Sequence, residues 1–327
     1  MTEHPFAQYV RILGKGKSGS RSLTLEEARS AMTMLLNGDV EDVQLGAFLM
    51  LLRVKEESPE ELAGFVHAVR DSLSLPGLSV DLDWASYAGK RRQQAWYLLA
   101  ALALADSGVR TVMHGAAGHT AGRAYSEQLL RELGEPVVED LSECAAALEQ
   151  GNFCYLPLSL FCPGLQRMME MRQLFGLRSP VHSLARLINP FAAPHSLQSI
   201  FHPAYSDSHQ QAAALLQQPH AAVFKGEAGE AERKPEAICK VKTVHNGVLG
   251  EQEWPKLLDG RQTWQTELSS QCLREAWCED NISEYGRYAV LGSIAIAVQL
   301  RTPQLDIDAA YAKATEIWSA RNRSRLG

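Results

Sequence analysis

Apolar residues recur with two different rhythms along this chain, and the rhythm changes near residue 76. In the first third the spacing is helical. Thr24-Leu25-Glu26-Glu27 reads as a capping box, in which the threonine hydroxyl accepts from the backbone of Glu27 and the glutamate carboxylate reaches back. Leu25, Ala28, Met32, Leu35 and Leu36 then keep a helical period until Asn37-Gly38 interrupts it. A second helix is predicted over about 43–55, with Leu45, Phe48, Leu49 and Leu52 on one face. Ser58-Pro59-Glu60-Glu61 starts a third, with serine as cap and proline at the first helical position. These elements predict a small all-helical lobe over 1–75.

Beyond Pro76-Gly77, short β-rich runs alternate with helical stretches. Residues 109–114, 136–138, 153–158, 199–202 and 221–224 read as strands, with helices ending near Gly134 and Gln150 and a buried helix over 98–104. Strands separated by helices predict a mostly parallel sheet covered on both faces. Lys240-Val241-Lys242-Thr243-Val244 alternates polar and apolar residues before Asn246-Gly247, the pattern of an edge strand ending in a turn. The tail over 283–321 reads as two helices. The expected fold class is α/β: a small all-helical lobe plus a larger α/β lobe around a mostly parallel central sheet.

Composition sharpens this only a little. A chain of 327 residues has room for about two core units. With 46% apolar and 21% charged residues it is not a disordered chain. The net charge of −6 means that affinity for a polyanion has to come from local clusters. The apolar runs at 98–105 and 289–298 are shorter than the roughly 18–20 residues that span a bilayer. Met1-Thr2-Glu3-His4-Pro5 lacks the basic-then-apolar pattern of an export signal, so the cytoplasm is the expected location. Cys144, Cys154, Cys162, Cys239, Cys272 and Cys278 are irregularly spaced without a Cys-x-x-Cys pair, as reduced structural thiols are.

Three charged segments are candidates for chemistry. Gly14-Lys15-Gly16-Lys17-Ser18-Gly19-Ser20-Arg21 ends like a nucleotide-binding P-loop, but position 11 is arginine where the motif needs glycine, and no strand precedes it. What is left is a loop presenting Arg11, Lys15, Lys17 and Arg21 without nearby acids, suited to phosphodiester contact or simply solvated. Lys90-Arg91-Arg92 precedes the buried helix and could bind an anion at the helix's positive end; a solvated helix start is the alternative. Lys225-Gly226-Glu227-Ala228-Gly229-Glu230-Ala231-Glu232-Arg233-Lys234 offers carboxylates that could hold magnesium, or else a solubilising loop. His114, before Gly115 at a predicted strand end, is the best-placed histidine.

A family resemblance joins these segments. Leu23 to Ala28, Gly38-Asp39-Val40-Glu41-Asp42-Val43-Gln44-Leu45-Gly46, Ser58-Pro59-Glu60-Glu61-Leu62, Gly108 to Gly115, Gly176-Leu177-Arg178 and Asn189-Pro190 resemble anthranilate phosphoribosyltransferase, of glycosyltransferase family 3. The resemblance implies a helical lobe over 1–75 to which about 163–188 return, and an α/β lobe from 76–162 and 189–327. It also implies a homodimer through the helical lobes. The family's chemistry moves ribose 5-phosphate from a diphosphate onto an aromatic amine, with backbone amides and magnesium holding the diphosphate.

The parts that grip that diphosphate are mostly missing. The family's Gly-Thr-Gly-Gly-Asp loop corresponds to Ala85-Ser86-Tyr87-Ala88-Gly89, and its Asn-Ile-Ser-Thr clasp falls at Ala95-Trp96-Tyr97-Leu98. Of Lys-His-Gly-Asn-Arg only His114 and Gly115 remain; the metal-binding Asp-Glu pair falls at Ala231-Glu232; Arg172 matches the acceptor-binding arginine, and a Gly-Pro is replaced by Ala185-Arg186. The basic loops look instead like the divergent YbiB-type branch, which implies homodimers that bind DNA and RNA with little sequence preference. On that reading Lys15, Lys17, Arg21, Lys90, Arg91, Arg92, Arg178, Arg186, Lys225, Arg233 and Lys234 contact phosphates, and Gly89, His114, Gly115 and Arg172 line a vestigial cleft without catalytic residue, metal or cofactor. Trp96 and Tyr97 are core residues, with base stacking as the alternative. The competing expectation is an active phosphoribosyltransferase with an altered acceptor, using His114, Arg172, Glu230, Glu232 and magnesium.

Overall fold

The computed structural model describes residues 2–16, 18–118, 120–260, 262–265 and 267–327. Helices α1 (Ala7–Gly14), α2 (Leu25–Asn37), α3 (Asp42–Lys55) and α4 (Pro59–Ser72) build the helical lobe. Both expected capping boxes form. Glu27 N donates to Thr24 Oγ1 at 3.2 Å and Thr24 N to Glu27 Oε2 at 2.9 Å, and Glu61 N donates to Ser58 Oγ at 3.2 Å. The buried Glu61 carboxylate also accepts from Leu23 N at 2.8 Å and Lys55 Nζ at 2.7 Å, fastening the α1–α2 loop and the end of α3 to the start of α4.

The larger lobe follows as β1 (Leu82–Ser86), α5 (Trp96–Asp106), β2 (Thr111–Gly115), α6 (Ser126–Leu133), α7 (Glu143–Gly151), β3 (Phe153–Pro157) and the single turn α8 (Leu158–Phe161). The chain then makes α9 (Pro163–Glu170), α10 (Arg172–Phe175) and α11 (Val181–Leu184). Leu165, Met168, Val181 and Leu184 join the core of the helical lobe, Arg167 Nη2 donates to Asp42 at 2.7 Å, and Arg70 Nε donates to Ile188 O at 2.6 Å. The lobe resumes with β4 (His195–Ile200), α12 (Ser206–Leu215), β5 (His220–Lys225), β6 (Cys239–His245), β7 (Val248–Trp254), α13 (Ser270–Cys278), α14 (Glu284–Arg301) and α15 (Ile307–Ser319).

The seven strands form one sheet in the order β3-β2-β1-β4-β5-β6-β7, parallel from β3 through β5 and antiparallel for the last two. Side chains alternate between two cores, as the two-residue strand period requires. Leu82, Trp84, Met113 and Phe224 face α5 and α14, while Ala85, Val112 and Leu156 join the core shared with the helical lobe. The chain runs from β1 outward through β2 to β3 and then crosses to β4 on the other side of β1, so the strand order reverses between β1 and β4 and a crevice opens beyond their carboxyl ends.

Four strand expectations change. β1 was not predicted, because Asp83 and Ser86 break its apolar pattern; Asp83 is held inside by Ser196 Oγ at 2.8 Å and Ser86 by Ser126 Oγ at 2.6 Å. β4 begins at His195, and Phe201 and His202 lie past its end. Residues 136–138 contribute only an isolated bridge, Val137 to Tyr155. β6 is paired on both sides, and the edge strand is β7. No helix among the described residues is long and apolar enough to cross a membrane.

Candidate functional site

The segment after β1 lies at the crevice, and its backbone is fixed by the protein's own carboxylates. Glu230 Oε1 accepts from Ala88 N at 2.6 Å and from Gly89 N at 2.5 Å. Gly89 has φ +68°, and a Cβ there would stand 3.1 Å from Ala124 O, so this turn requires glycine. Lys90 follows, fully buried, with its ammonium 2.5 Å from Glu232 Oε1 and also paired with Glu227. The other oxygen of Glu232 accepts from Tyr97 N at 2.9 Å, in the first turn of α5. An anion does occupy this helix N-terminus, and it is a side chain of the protein.

Burial pushes Glu232 up, to about 7, against the pull of Lys90. Burial also opposes the Lys90 charge, but the Glu232 and Glu227 carboxylates outweigh it and hold the lysine above its usual range. These residues do not fit magnesium. Both Glu232 oxygens and one of Glu230 are engaged by N–H donors, and an ammonium stands where a divalent cation would need to be. Among the described residues no group of three or more His, Cys, Asp or Glu is placed to hold a metal.

The expected phosphate contacts divide. Lys15, Arg91, Arg92 and Lys225 are exposed, and Arg92 lies 3.7 Å over the Trp264 ring. Lys17 lies outside the described residues. The expectation of cations without nearby acids is corrected for Arg21, which pairs with Glu27 at 2.6 Å, and for Arg11, which pairs with Glu3. Lys234 is half-buried and pairs with Glu236 at 3.2 Å. Lys90 and Arg233 are not surface contacts at all. Arg233 is wholly buried and donates to Ala237 O and Pro255 O, both at 2.7 Å, closing the turn before β6. Trp96 and Tyr97 are core residues; a Cβ on Gly286 of α14 would lie 2.7 Å from the Trp96 ring.

A second set of cations gathers where the lobes meet. Arg53, Arg123, Arg172, Arg178 and Arg186 line one cavity of about 310 Å³ together with Glu57, Ser179, His209 and the residues Ser199 to His202. Arg186 is buried, which corrects its reading as a surface contact. Its Nη1 donates to Ser199 O at 2.8 Å and Gly229 O at 2.6 Å. Arg123 Nη1 donates to Ala88 O at 2.9 Å and Gly89 O at 2.8 Å, tying the cavity to the loop after β1. Among the described residues no carboxylate lies within ion-pair distance of Arg123, Arg178 or Arg186. Burial and the neighbouring Arg186, Arg123 and Arg172 lower Arg178 to about 10. Burial raises Glu57 to about 7 and depresses His209 to about 3, so His209 is neutral.

Arg178 and Arg186 therefore share a wall with Arg172, whereas Lys225 does not line this cavity. His114 and Gly115 end β2 and, like Gly89, do not line this cavity, so of the four residues expected in the cleft only Arg172 does; His114 Nδ1 lies 2.7 Å from Tyr87 Oη and its Nε2 3.1 Å from Asp83. Arg53, Glu57, Arg123, His209 and Phe201 were not anticipated. Each sits in an ordinary local context, and only the fold brings them together.

Two family models cover most of the chain: the glycosyl transferase family helical bundle domain over residues 8–73 and the glycosyl transferase family a/b domain over residues 94–257. The chain is 31% identical over 206 residues to the uncharacterized protein YbiB of Escherichia coli, across 61% of this chain and 64% of that protein, a little under two thirds of its length. It is 30% identical over 233 residues to anthranilate phosphoribosyltransferase of Oleidesulfovibrio alaskensis, across 70% of each chain. The anthranilate phosphoribosyltransferase of Thermus thermophilus superposes with a TM-score of 0.80 at 22% identity, over 99% of this chain and 97% of that one. The Saccharomyces cerevisiae enzyme in complex with PRPP and Mg gives 0.80 at 18%, over 99% and 96%. These two likenesses are of fold. With both domain models matched in order across the lobes described above, the chain belongs to glycosyl transferase family 3, on the anthranilate phosphoribosyltransferase fold and beside YbiB.

Proposed function

We propose that this protein is a nucleic-acid-binding member of the family, taking DNA or RNA with little sequence preference through phosphate contacts, and that it is not a phosphoribosyltransferase. One observation carries the second half. The amides of Ala88, Gly89 and Tyr97, in the segments that the family resemblance matches to the diphosphate grip, already donate to Glu230 and Glu232. A diphosphate would have to expel two buried carboxylates to reach them, and Lys90 would lose its partners. No magnesium or other cofactor belongs to this reading.

The first half is supported by the exposed Lys15, Arg91, Arg92 and Lys225 and by the arginine-lined cavity, which concentrate positive charge on a chain of net charge −6. The loop bearing Lys15 and Arg21 abuts the α3–α4 corner through Lys55 Nζ and Ser22 Oγ at 3.0 Å, and the same corner gives Arg53 to the cavity. A homodimer through the helical lobes is part of the proposal, because Val43 and Val54 on α3 are 79% and 85% exposed. Pairing two copies doubles the phosphate contacts.

The test is a gel-shift titration over salt with single-stranded and duplex oligonucleotides of two sequences. Binding that weakens steeply with salt, and equally for both sequences, is expected; a salt-independent affinity sinks the reading. Retention of His114 and Arg172 is what favours the phosphoribosyltransferase alternative. Calorimetry with phosphoribosyl pyrophosphate and magnesium decides it, and saturable micromolar binding would restore that alternative.

A further inference from the structure

The cavity between the lobes differs in kind from the exposed basic loops. Arg178 is half-buried and, among the described residues, makes no hydrogen bond or ion pair of its own. Arg186, in the same wall, is 5% exposed. Crowding guanidinium groups in a partly dry space is unfavourable unless an anion neutralises them. Two further polar atoms wait on the same wall: Ser179 Oγ and His209 Nδ1 are buried without a hydrogen-bond partner among the described residues. At the rim Phe201 is 46% exposed, just past the end of β4.

We infer that this cavity binds a phosphate monoester, supplied by the phosphorylated end of a nucleic-acid strand; the inference rests on the nucleic-acid reading above. A monoester matches the cavity in charge and shape. The Arg178 guanidinium can fork onto two of its terminal oxygens and the buried Ser179 hydroxyl can meet the third, a set that a single carboxylate does not satisfy. An internal phosphodiester carries a sugar on both sides, leaves only two free oxygens for these donors, and would fill the space twice over. A volume of about 310 Å³ admits one nucleotide end and little more. The exposed Phe201 ring then offers a face for the terminal base.

The test compares one short single-stranded oligonucleotide carrying either a 5′-phosphate or a 5′-hydroxyl, by fluorescence anisotropy at fixed salt. The wild-type protein is expected to hold the phosphorylated strand about tenfold more tightly. Arg178→Gln should bring the phosphorylated strand down to the hydroxyl strand's affinity while the protein still melts cooperatively, and Arg178→Lys should restore only part of the difference. Equal affinity for the two ends in wild type overturns the inference and leaves the nucleic-acid reading standing. If neither strand binds at low salt, that reading fails, and adenosine 5′-monophosphate decides the cavity's chemistry by calorimetry. Saturable binding lost in Arg178→Gln supports a monoester from a free nucleotide, and silence overturns it. Tight binding of 2-aminobenzoate with no response to phosphate also overturns it.

Discussion

The Glu230 carboxylate lies 2.5 Å from the amide nitrogen of Gly89, inside the loop where this family's fold would grip a diphosphate. The same oxygen takes the amide of Ala88, and the whole carboxylate is buried. Charged acceptors for buried amides contribute about 1.5–3 kcal/mol each. Glu230→Gln should therefore lower stability by about that much, and Glu230→Ala by more, because two buried donors are then orphaned. Urea unfolding measures both; an unchanged midpoint for Glu230→Ala would mean that the loop is held by other contacts.

Lys90 and Lys225 should respond in opposite ways. Lys90→Met removes the ammonium from between Glu227 and Glu232 and should destabilise by about 3–5 kcal/mol. Lys225→Glu, at an exposed site, should leave stability within about 0.5 kcal/mol and weaken strand binding. Thermal melts beside gel shifts separate the two. A stable Lys90→Met variant with weakened binding would put Lys90 back on the surface.

Arg91 and Arg92 should appear in the salt dependence. If each meets one phosphate, replacing both with alanine lowers the slope of log affinity against log salt by about 1.8 on duplex and roughly 1.4 on a single strand. A slope that does not move would assign these arginines to other work, such as the stacking of Arg92 on Trp264.

Glu57 makes stability depend on pH with a definite sign. Its folded value of about 7 lies above the ordinary 4.5, chiefly through burial, with Arg53, Lys55 and Glu61 acting on it and Tyr205 beside it in the cavity wall. The folded chain therefore holds a proton that the unfolded chain releases, so this contribution is full below 4.5 and is lost as pH rises through 7. Glu57→Gln should match wild type at pH 4.5 or below and exceed it above pH 7 by on the order of 3 kcal/mol. Ionised Glu57 also adds a negative charge to the arginine cavity, so monoester affinity should fall above pH 7 in wild type and persist in Glu57→Gln.

Helices α2 to α4 were legible in the sequence almost to the residue, because their signals are local: Thr24 with Glu27, Ser58 with Pro59 and Glu61; α1, which has no side-chain cap, was not. Nor was β1, since this interior strand buries Asp83 and Ser86, whose partners come from β2, β4 and α6. The site divides along the same line. That the family's diphosphate loop is altered could be read from Tyr87-Ala88-Gly89-Lys90. That Glu230 and Glu232 now fill the cradle could not, because the partners lie about 140 residues apart. A basic run reads alike whether its lysine meets solvent or a buried carboxylate. Arg53, Arg123 and Arg178 become one wall only when two lobes close on each other.

The interlock of Lys90 with Glu227 and Glu232, beside Glu230 on its amides, also has an evolutionary consequence. Replacing Lys90 leaves two carboxylates without their cation, and replacing Glu230 orphans the amides of Ala88 and Gly89, so these positions are coupled in what they tolerate. Substitutions at these positions are therefore expected to accompany one another among relatives rather than to occur singly.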